Sequence, residues 1–565
     1  MANGQFNDFR IIGPWWPHFT RCRPRLLIVH DGLSYSSSDG FGLTQFIAAI
    51  AGAWPIPIIK LAQRFGGGGT VTINGVNYPV AGGFTFNSAS PAVTLANYDQ
   101  LWLFGISQSS LSNLEIQTIA NFMNGGGGVF ATGDHGTLGL GMCGSLPRIR
   151  HMREWQFIPM GGEGNLTARD RIDTMVDPGV SGEFEFEDQS DDIPQRIYPN
   201  YGADFINSAW TASVHPLLRM PGAPATRTGS VHFKLDIDVL PDHPHESVCY
   251  EVSLQSKPAE LNAAYNVAGM NFVEFPSLFG GGAKVGSRIV AFAVSGGRAL
   301  GNPIYKPPVN PRMFGVISAF DGHSAALYPG AATRPGRIVC DSTWHHFVNI
   351  NLDGTGSNRP GLSPPHLQKI YQYYRNIIDW IQPANRLICW WWWDLVTAVK
   401  HPYLFEEVME IDKFREPEDV ARLGLQAIDL LDRVRGPGGT ADLVMSILRS
   451  QDDSASFADD PERRVLTGDD ADARGVLSFI VGSAVAHVAR SLPLERSDLL
   501  EARLQEDGHE KDEAALAAAT AEALPGALAL QQSRLEQRLG VLSRFSDRRF
   551  AASEADGGYE PEYDS

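Results

Sequence analysis

Four short runs of the chain concentrate the side chains that move protons and hold metals: His30-Asp31, Gly133-Asp134-His135-Gly136, Asp321-Gly322-His323 and Asp341-Ser342-Thr343-Trp344-His345-His346. Imidazole and carboxylate together make general acid–base pairs or metal ligands, depending on what faces them. A fifth run, Pro241-Asp242-His243-Pro244-His245-Glu246, sets alternate histidines between carboxylates along an extended segment. Zinc, manganese or iron would accept that donor set. The expected ligands are Asp134, His135, His243, His245 and His346, with Asp242 or Glu246 as the base that takes a proton from metal-bound water. The plainer reading of residues 241–246 is a polar loop of solvated histidines stiffened by proline.

Two further clusters bear on binding. In Pro147-Arg148-Ile149-Arg150-His151-Met152-Arg153, Arg150 and Arg153 would share one face of a helix and grip an anion in bidentate fashion. Alternatively they pair with the acids of residues 169–173. Ser342 beside His345 and His346 invites a serine-hydrolase reading, but a nucleophile normally occupies the tight turn after a strand. Here that turn holds Asp134, as nucleophile or base, and His135. The expected catalytic set is therefore Asp134, His135, Asp242, Glu246, His345 and His346. Asp31, Arg150, Arg153, His323, Ser342 and Trp344 are expected against the substrate.

What brings such runs together is a sheet. Apolar runs at 25–30, 56–61, 98–106, 129–132, 288–294, 315–320 and 337–340 read as buried strands. Helical spacing over 43–53, a capping box of Ser112 and Glu115 opening a helix to Met123, and a helix at 366–381 separate them. Strand, helix, strand implies a parallel sheet with helices on both faces, and ligands at the carboxyl ends of its strands. Each of the four runs follows a strand, so one pocket is the economical expectation. Residues 70–86 read as an inserted hairpin, and 145–285 as a loop-rich insertion.

The glycine-rich helix end Asn124-Gly125-Gly126-Gly127-Gly128, the strand after it and the turn at Gly133-Asp134-His135 resemble the elbow of class I glutamine-amidotransferase-like domains. More narrowly they are similar to the trehalose-utilisation-type branch, where histidine replaces the nucleophilic cysteine. The 336–346 stretch falls where that superfamily keeps its second functional histidine. The resemblance covers about 24–140 and 285–385, and it implies a flavodoxin-like fold and a carbohydrate-like substrate. No Gly-x-Cys-x-Gly occurs, so glutamine hydrolysis by a thiolate is disfavoured; Cys143 reads as a small buried residue.

Residues 405–565 carry 34 acidic and 18 basic residues, leaving a net −2 of the total −18 to the rest of the chain. That acidity argues against nucleic acid. The expected organisation is an extension (1–24), the α/β domain (25–385), a tryptophan-rich linker helix (386–404), an acidic helical domain (405–550) and a disordered tail (551–565). Trp390–Trp393 either pack the helical region onto the α/β domain or dock on a membrane interface or partner. The apolar runs at 387–399 and 476–489 are too short to span a bilayer. Five scattered cysteines, none spaced as a pair, favour a reducing, cytoplasmic setting without disulfides. No nucleotide motif is present. These features point to a metal-assisted hydrolase of a small polar or carbohydrate-like substrate, or to a non-catalytic binding protein that docks a partner, or itself, through the acidic helices.

Overall fold

The computed structural model describes residues 22–555 except 54–55, 88–94, 108, 135–136, 156–193, 201–213, 222–235, 242–247, 268, 279–282, 296–311, 328–333, 357–359, 412–415, 436–438, 452–470, 495, 497 and 501–508. His135, Asp242, His243, His245 and Glu246 lie outside the described residues, as do 169–173 and the ends of the chain.

Ten strands form the central sheet: β1 (Arg25–His30), β2 (Ile58–Gln63), β3 (Gly69–Ile73), β4 (Val76–Ala81), β5 (Gln100–Phe104), β6 (Gly128–Thr132), β7 (Tyr198–Pro199), β8 (Ser287–Ser295), β9 (Arg312–Phe320) and β10 (Ile338–Asp341). Their order is β3-β4-β2-β1-β5-β6-β10-β9-β8-β7. The inner five, β2-β1-β5-β6-β10, run parallel, which is the 2-1-3-4-5 order of a flavodoxin-like sheet. Period-two alternation divides each strand between two cores. Leu26 and Ile28 of β1 join Trp102, Phe104 and Phe130 beneath helices α1 (Thr44–Ala51) and, later in the chain, Pro364–Trp380. Leu27 and Val29 join Leu101, Leu103 and Val129 on the opposite face, beneath α2 (Asn113–Asn124). The expected capping box starts α2: Ser112 Oγ accepts from Glu115 N and Glu115 Oε2 accepts from Ser112 N.

The hairpin β3–β4 turns on Asn74 and Gly75, both at positive φ, which suits a two-residue turn of the twist-matched kind. At the other edge the sheet departs from the expected parallel repeat. β9 runs antiparallel to β10 and β8 antiparallel to β9. Phe320 at the end of β9 therefore pairs with Ile338 at the start of β10. Hence Asp321 and His323 sit at the amino rim of the parallel strands, away from the carboxyl rim where His30, Asp134 and Asp341 emerge.

The C-terminal region is all helical: α3 (Ala384–Lys400), α4 (Pro402–Met409), α5 (Pro417–Arg435), α6 (Gly439–Gln451), α7 (Ala471–Ser491) and α8 (Glu510–Ala555). Trp390, Trp391, Trp392 and Trp393 are all buried in its core with Leu423, Val444, Val481 and Leu516. The tryptophan helix is thus the centre of the helical layer. Cys22 is bonded to Cys389, and Trp390 Nε1 donates to Cys22 O at 2.7 Å. The expectation of no disulfide is corrected here: a separation of 367 residues hides from sequence spacing two Cα atoms 5.7 Å apart. One stretch, Glu510–Gln537, is long and apolar enough to cross a membrane by composition, with mean hydropathy 1.2, and 33% of its apolar window is buried inside the protein.

Candidate functional site

β10 ends in a buried relay. Asp341 Oδ1 lies 2.6 Å from His346 Nδ1, and Tyr373 OH donates to Asp341 Oδ2 at 2.8 Å. All three residues have no solvent exposure. The Nδ1 contact fixes the His346 ring, and its Nε2 is buried with no hydrogen-bond partner. Tyr374 OH donates to His346 O, pinning the backbone as well. Burial first, and the Asp341 carboxylate second, push the Tyr373 phenol up, so it stays a donor.

The turn after β6 meets that segment. Thr343 Oγ1 donates to Asp134 Oδ1 at 2.8 Å, and His345 Nε2 lies 3.4 Å from Asp134 Oδ2. Trp344 N donates to Gly133 O at 2.8 Å. Gly139, at φ +95°, permits the close return of the loop, since a Cβ there would come within 2.9 Å of Gly133 Cα. His345 is the partly exposed member, its side chain at 15%, and Asn351 Nδ2 lies 3.1 Å from its Nδ1. Its ring stacks on Trp344 at 4.3 Å, and Phe41 caps both edge-on at 5.6 and 6.2 Å. Phe41 is 45% exposed, so the site has an aromatic lip open to solvent.

Arg153 holds the two strand ends together. Its guanidinium donates to Ser342 O at 3.0 and 2.6 Å, to Asp134 O at 2.9 Å and to Glu154 O at 2.6 Å. It is 1% exposed and lies over the Trp155 ring, and burial pulls its pKa down. Arg150 is likewise committed: its Nε and Nη2 donate to the two carboxylate oxygens of Glu274 at 2.9 and 2.6 Å. Burial pushes Glu274 up, but hydrogen bonds from His151, Arg150 and the Arg148 backbone outweigh it and hold the carboxyl at about 2. The expected anion grip is corrected on both counts. The helix that would align the arginines ends at Met152, and Arg153 is extended at φ −147°. Both guanidiniums already have protein partners. Arg148 sits at φ +66° in a γ-turn closed by Ile149 N to Pro147 O, with its side chain bound to Glu274 O, Val273 O and Asn124.

The remaining expected contacts divide by rim. Asp31 is at the carboxyl rim, but its Oδ1 accepts from Ile106 N at 2.5 Å and Ser107 N at 3.0 Å, capping the loop after β5. Burial pushes its pKa up against those bonds. Asp31 thus sits at the crevice between β1 and β5, where a doubly wound sheet usually receives a ligand. His30 is buried with both ring nitrogens lacking a hydrogen-bond partner, and burial lowers its pKa to about 4. Ser342 Oγ is fully buried beneath the same rim, without a hydrogen-bond partner. His323 is corrected outright: at the amino rim, its N donates to Asp321 Oδ1 and its O accepts from Arg334, against the helical layer.

Among the described residues, Asp134, His345 and His346 do not come together as a three-ligand set; the cluster that does is Cys22, Cys389 and Glu513. Cys143, on the short helix Leu140–Cys143, is a core residue, and burial pushes its thiol well up, away from the reactive thiolate form. Sequence reasoning missed Tyr373, Asn351 and Phe41. Tyr373 reads as one more apolar position of a helix, and nothing in the spacing marks it. Compared with protein-family models, curated proteins and solved structures, the chain matches none of them. What the structure establishes is architecture: a flavodoxin-like α/β sheet joined to an all-helical region.

Proposed function

We propose that the carboxyl rim is the active site of a hydrolase acting on a small, polar, carbohydrate-like substrate, with His345 and Asp134 as its acid–base pair. The observation that carries this reading is the 3.4 Å approach of the partly exposed His345 Nε2 to the buried Asp134 carboxylate, at the turn where a strand of this sheet type presents its reactive group. Acid–base contacts of this kind are commonly long in the unliganded enzyme and tighten around substrate. In the reaction His345 takes a proton from water and Asp134 stabilises the imidazolium. The face of a sugar ring stacks on the exposed Phe41 ring, whose aromatic surface suits axial C–H groups, with Trp344 packed edge-to-face behind it. His346 buttresses Trp344 and His345 through the Asp341–Tyr373 relay. If a metal assists, the unpartnered Nε2 of His346 suits it best, because a carboxylate already holds Nδ1. Asp134 suits it less, with both oxygens engaged.

The sealed relay favours a second reading, a non-catalytic binding protein, because Asp341, Ser342 and His346 have no exposed surface. One experiment separates the two. Chromogenic glycosides and sugar esters are offered to the wild type and to His345→Gln and Asp134→Asn variants, with Trp344→Phe reporting binding by fluorescence difference. Turnover that drops about 10²–10⁴-fold in both variants, with folding retained, supports the hydrolase. Binding without turnover moves the protein to the second reading, and turnover indifferent to both substitutions sinks the assignment.

A further inference from the structure

Far from this pocket, the helical layer holds a second cluster of metal-grade ligands. The Cys22 and Cys389 sulfurs and a Glu513 carboxylate oxygen lie within 4.8 Å of one another, and all three residues are buried. Two sulfurs and a carboxylate oxygen at this spacing are a donor set that zinc accepts once the sulfurs are thiolates. His509 supplies an independent sign. It precedes Glu513 by four residues, and Glu513 N donates to its carbonyl at 2.8 Å, so the two stand one helical turn apart on one face. Its ring packs on Trp392 and Trp393 at 6.1 and 5.3 Å, the residues three and four places after Cys389. Its Nδ1 lies 3.1 Å from Asp512 Oδ2, while its Nε2 is buried with no hydrogen-bond partner. An imidazole held by a carboxylate at one nitrogen and bare at the other is how proteins present histidine to a metal.

We propose that Cys22, Cys389 and Glu513, completed by His509, bind a zinc-type divalent cation when the Cys22–Cys389 bond is reduced, so that disulfide and metal are alternative occupants of one site. The exchange balances. Two molecules of a small thiol reduce the disulfide, giving two cysteine thiols and the oxidised small disulfide. The cation then takes both sulfurs as thiolates, releasing two protons. Glu513 is the third ligand, and His509, standing outside the 4.8 Å set, becomes the fourth when its ring turns to the sulfurs. Two thiolates, an imidazole and a carboxylate meet the tetrahedral preference of zinc. In either state the segment entering β1 stays tied to α3, and the metal state adds α8 through Glu513, so reducing surroundings change the fastener without freeing the helical layer.

The test uses the full chain, reduced by a small thiol, freed of it without air, and titrated with Co²⁺. The expected result is a thiolate-to-cobalt charge-transfer band with tetrahedral d–d bands, saturating at one equivalent and erased by Zn²⁺. Oxidised protein, in which three thiols remain, gives no such bands, and Cys389→Ser abolishes them. Glu513→Gln and His509→Ala each weaken Co²⁺ binding by about tenfold or more, with helix content checked by circular dichroism. A reduced, folded wild type without the bands overturns the proposal. So do undiminished bands in both ligand variants, or a reduced protein that unfolds and is not refolded by Zn²⁺.

Discussion

The two rims of the central sheet are built from similar residues and used in opposite ways. At the amino rim the charges are paired. Asp99 accepts from Arg25 at 2.8 and 3.1 Å and from Arg386 at 3.1 Å, and Arg337 reaches Asp321, Trp380 O and Ser446. Arg219 meets Asp442 there too, joining the α/β layer to α6. Gln382 also lies at this rim, its amide buried without a hydrogen-bond partner. At the carboxyl rim, five buried side chains keep polar atoms without hydrogen-bond partners: His30, Asp31, Ser342, Trp344 and His346. Buried polar groups are normally satisfied, and clusters of unsatisfied ones mark a place where stability has been given up for a ligand or a reaction. Similar residue types are therefore joined in ion pairs at one rim and left with unpartnered polar atoms at the other.

Substitutions can break or sharpen that contrast. The largest effect is expected from Arg153→Met, which leaves the Asp134, Glu154 and Ser342 carbonyls without their buried cation. Chemical denaturation should show a loss of about 4 kcal/mol. A loss below about 1 kcal/mol would mean that the carboxyl rim is not held by this residue. Next is Asp99→Ala, which strands Arg25 and Arg386 and should cost about 3 kcal/mol while leaving ligand binding at the other rim unchanged. A coupled loss of binding would erase the distinction between the rims.

The smallest effect is one of pH. The folded state lowers the His30 pKa from 6.5 to about 4, so the unfolded chain takes the proton first. Stability is then whole above pH 6.5 and falls as the pH drops toward 4, by about 2 kcal/mol between pH 6.5 and 5. Removing the ring in His30→Leu should flatten this part of the stability profile. A slope unchanged in the variant would show that the acid sensitivity lies elsewhere.

Much of the architecture was legible in the residues. Continuous apolar runs of four to six residues could be only buried strands, and Ser112 with Glu115 announced α2. Helical patterns at 417–435 and 474–492 match α5 and, to within three residues, α7. The reversal of β9 was not legible, because a strand buried on both faces has the same composition whichever way it runs. That single ambiguity misplaced His323. The arginine cluster was misread because Glu274, its partner, is more than a hundred residues away and carries no local signal. The apolar stretch at 510–537 escaped notice because alanine supplies it, and alanine makes no conspicuous run. At the site, Asp134, His345 and His346 were legible from their position after strands, whereas Tyr373 and Phe41 arrive only through tertiary packing.

The bond between Cys22 and Cys389 also has a schedule. A ribosome adding about 5–20 residues per second separates the two cysteines by roughly 20–70 s of synthesis, since they are 367 positions apart in the chain. Every strand of the sheet is translated within that interval. The α/β layer can therefore collapse while Cys22 is still unfastened, and the helical layer arrives last, closing onto a rim already formed.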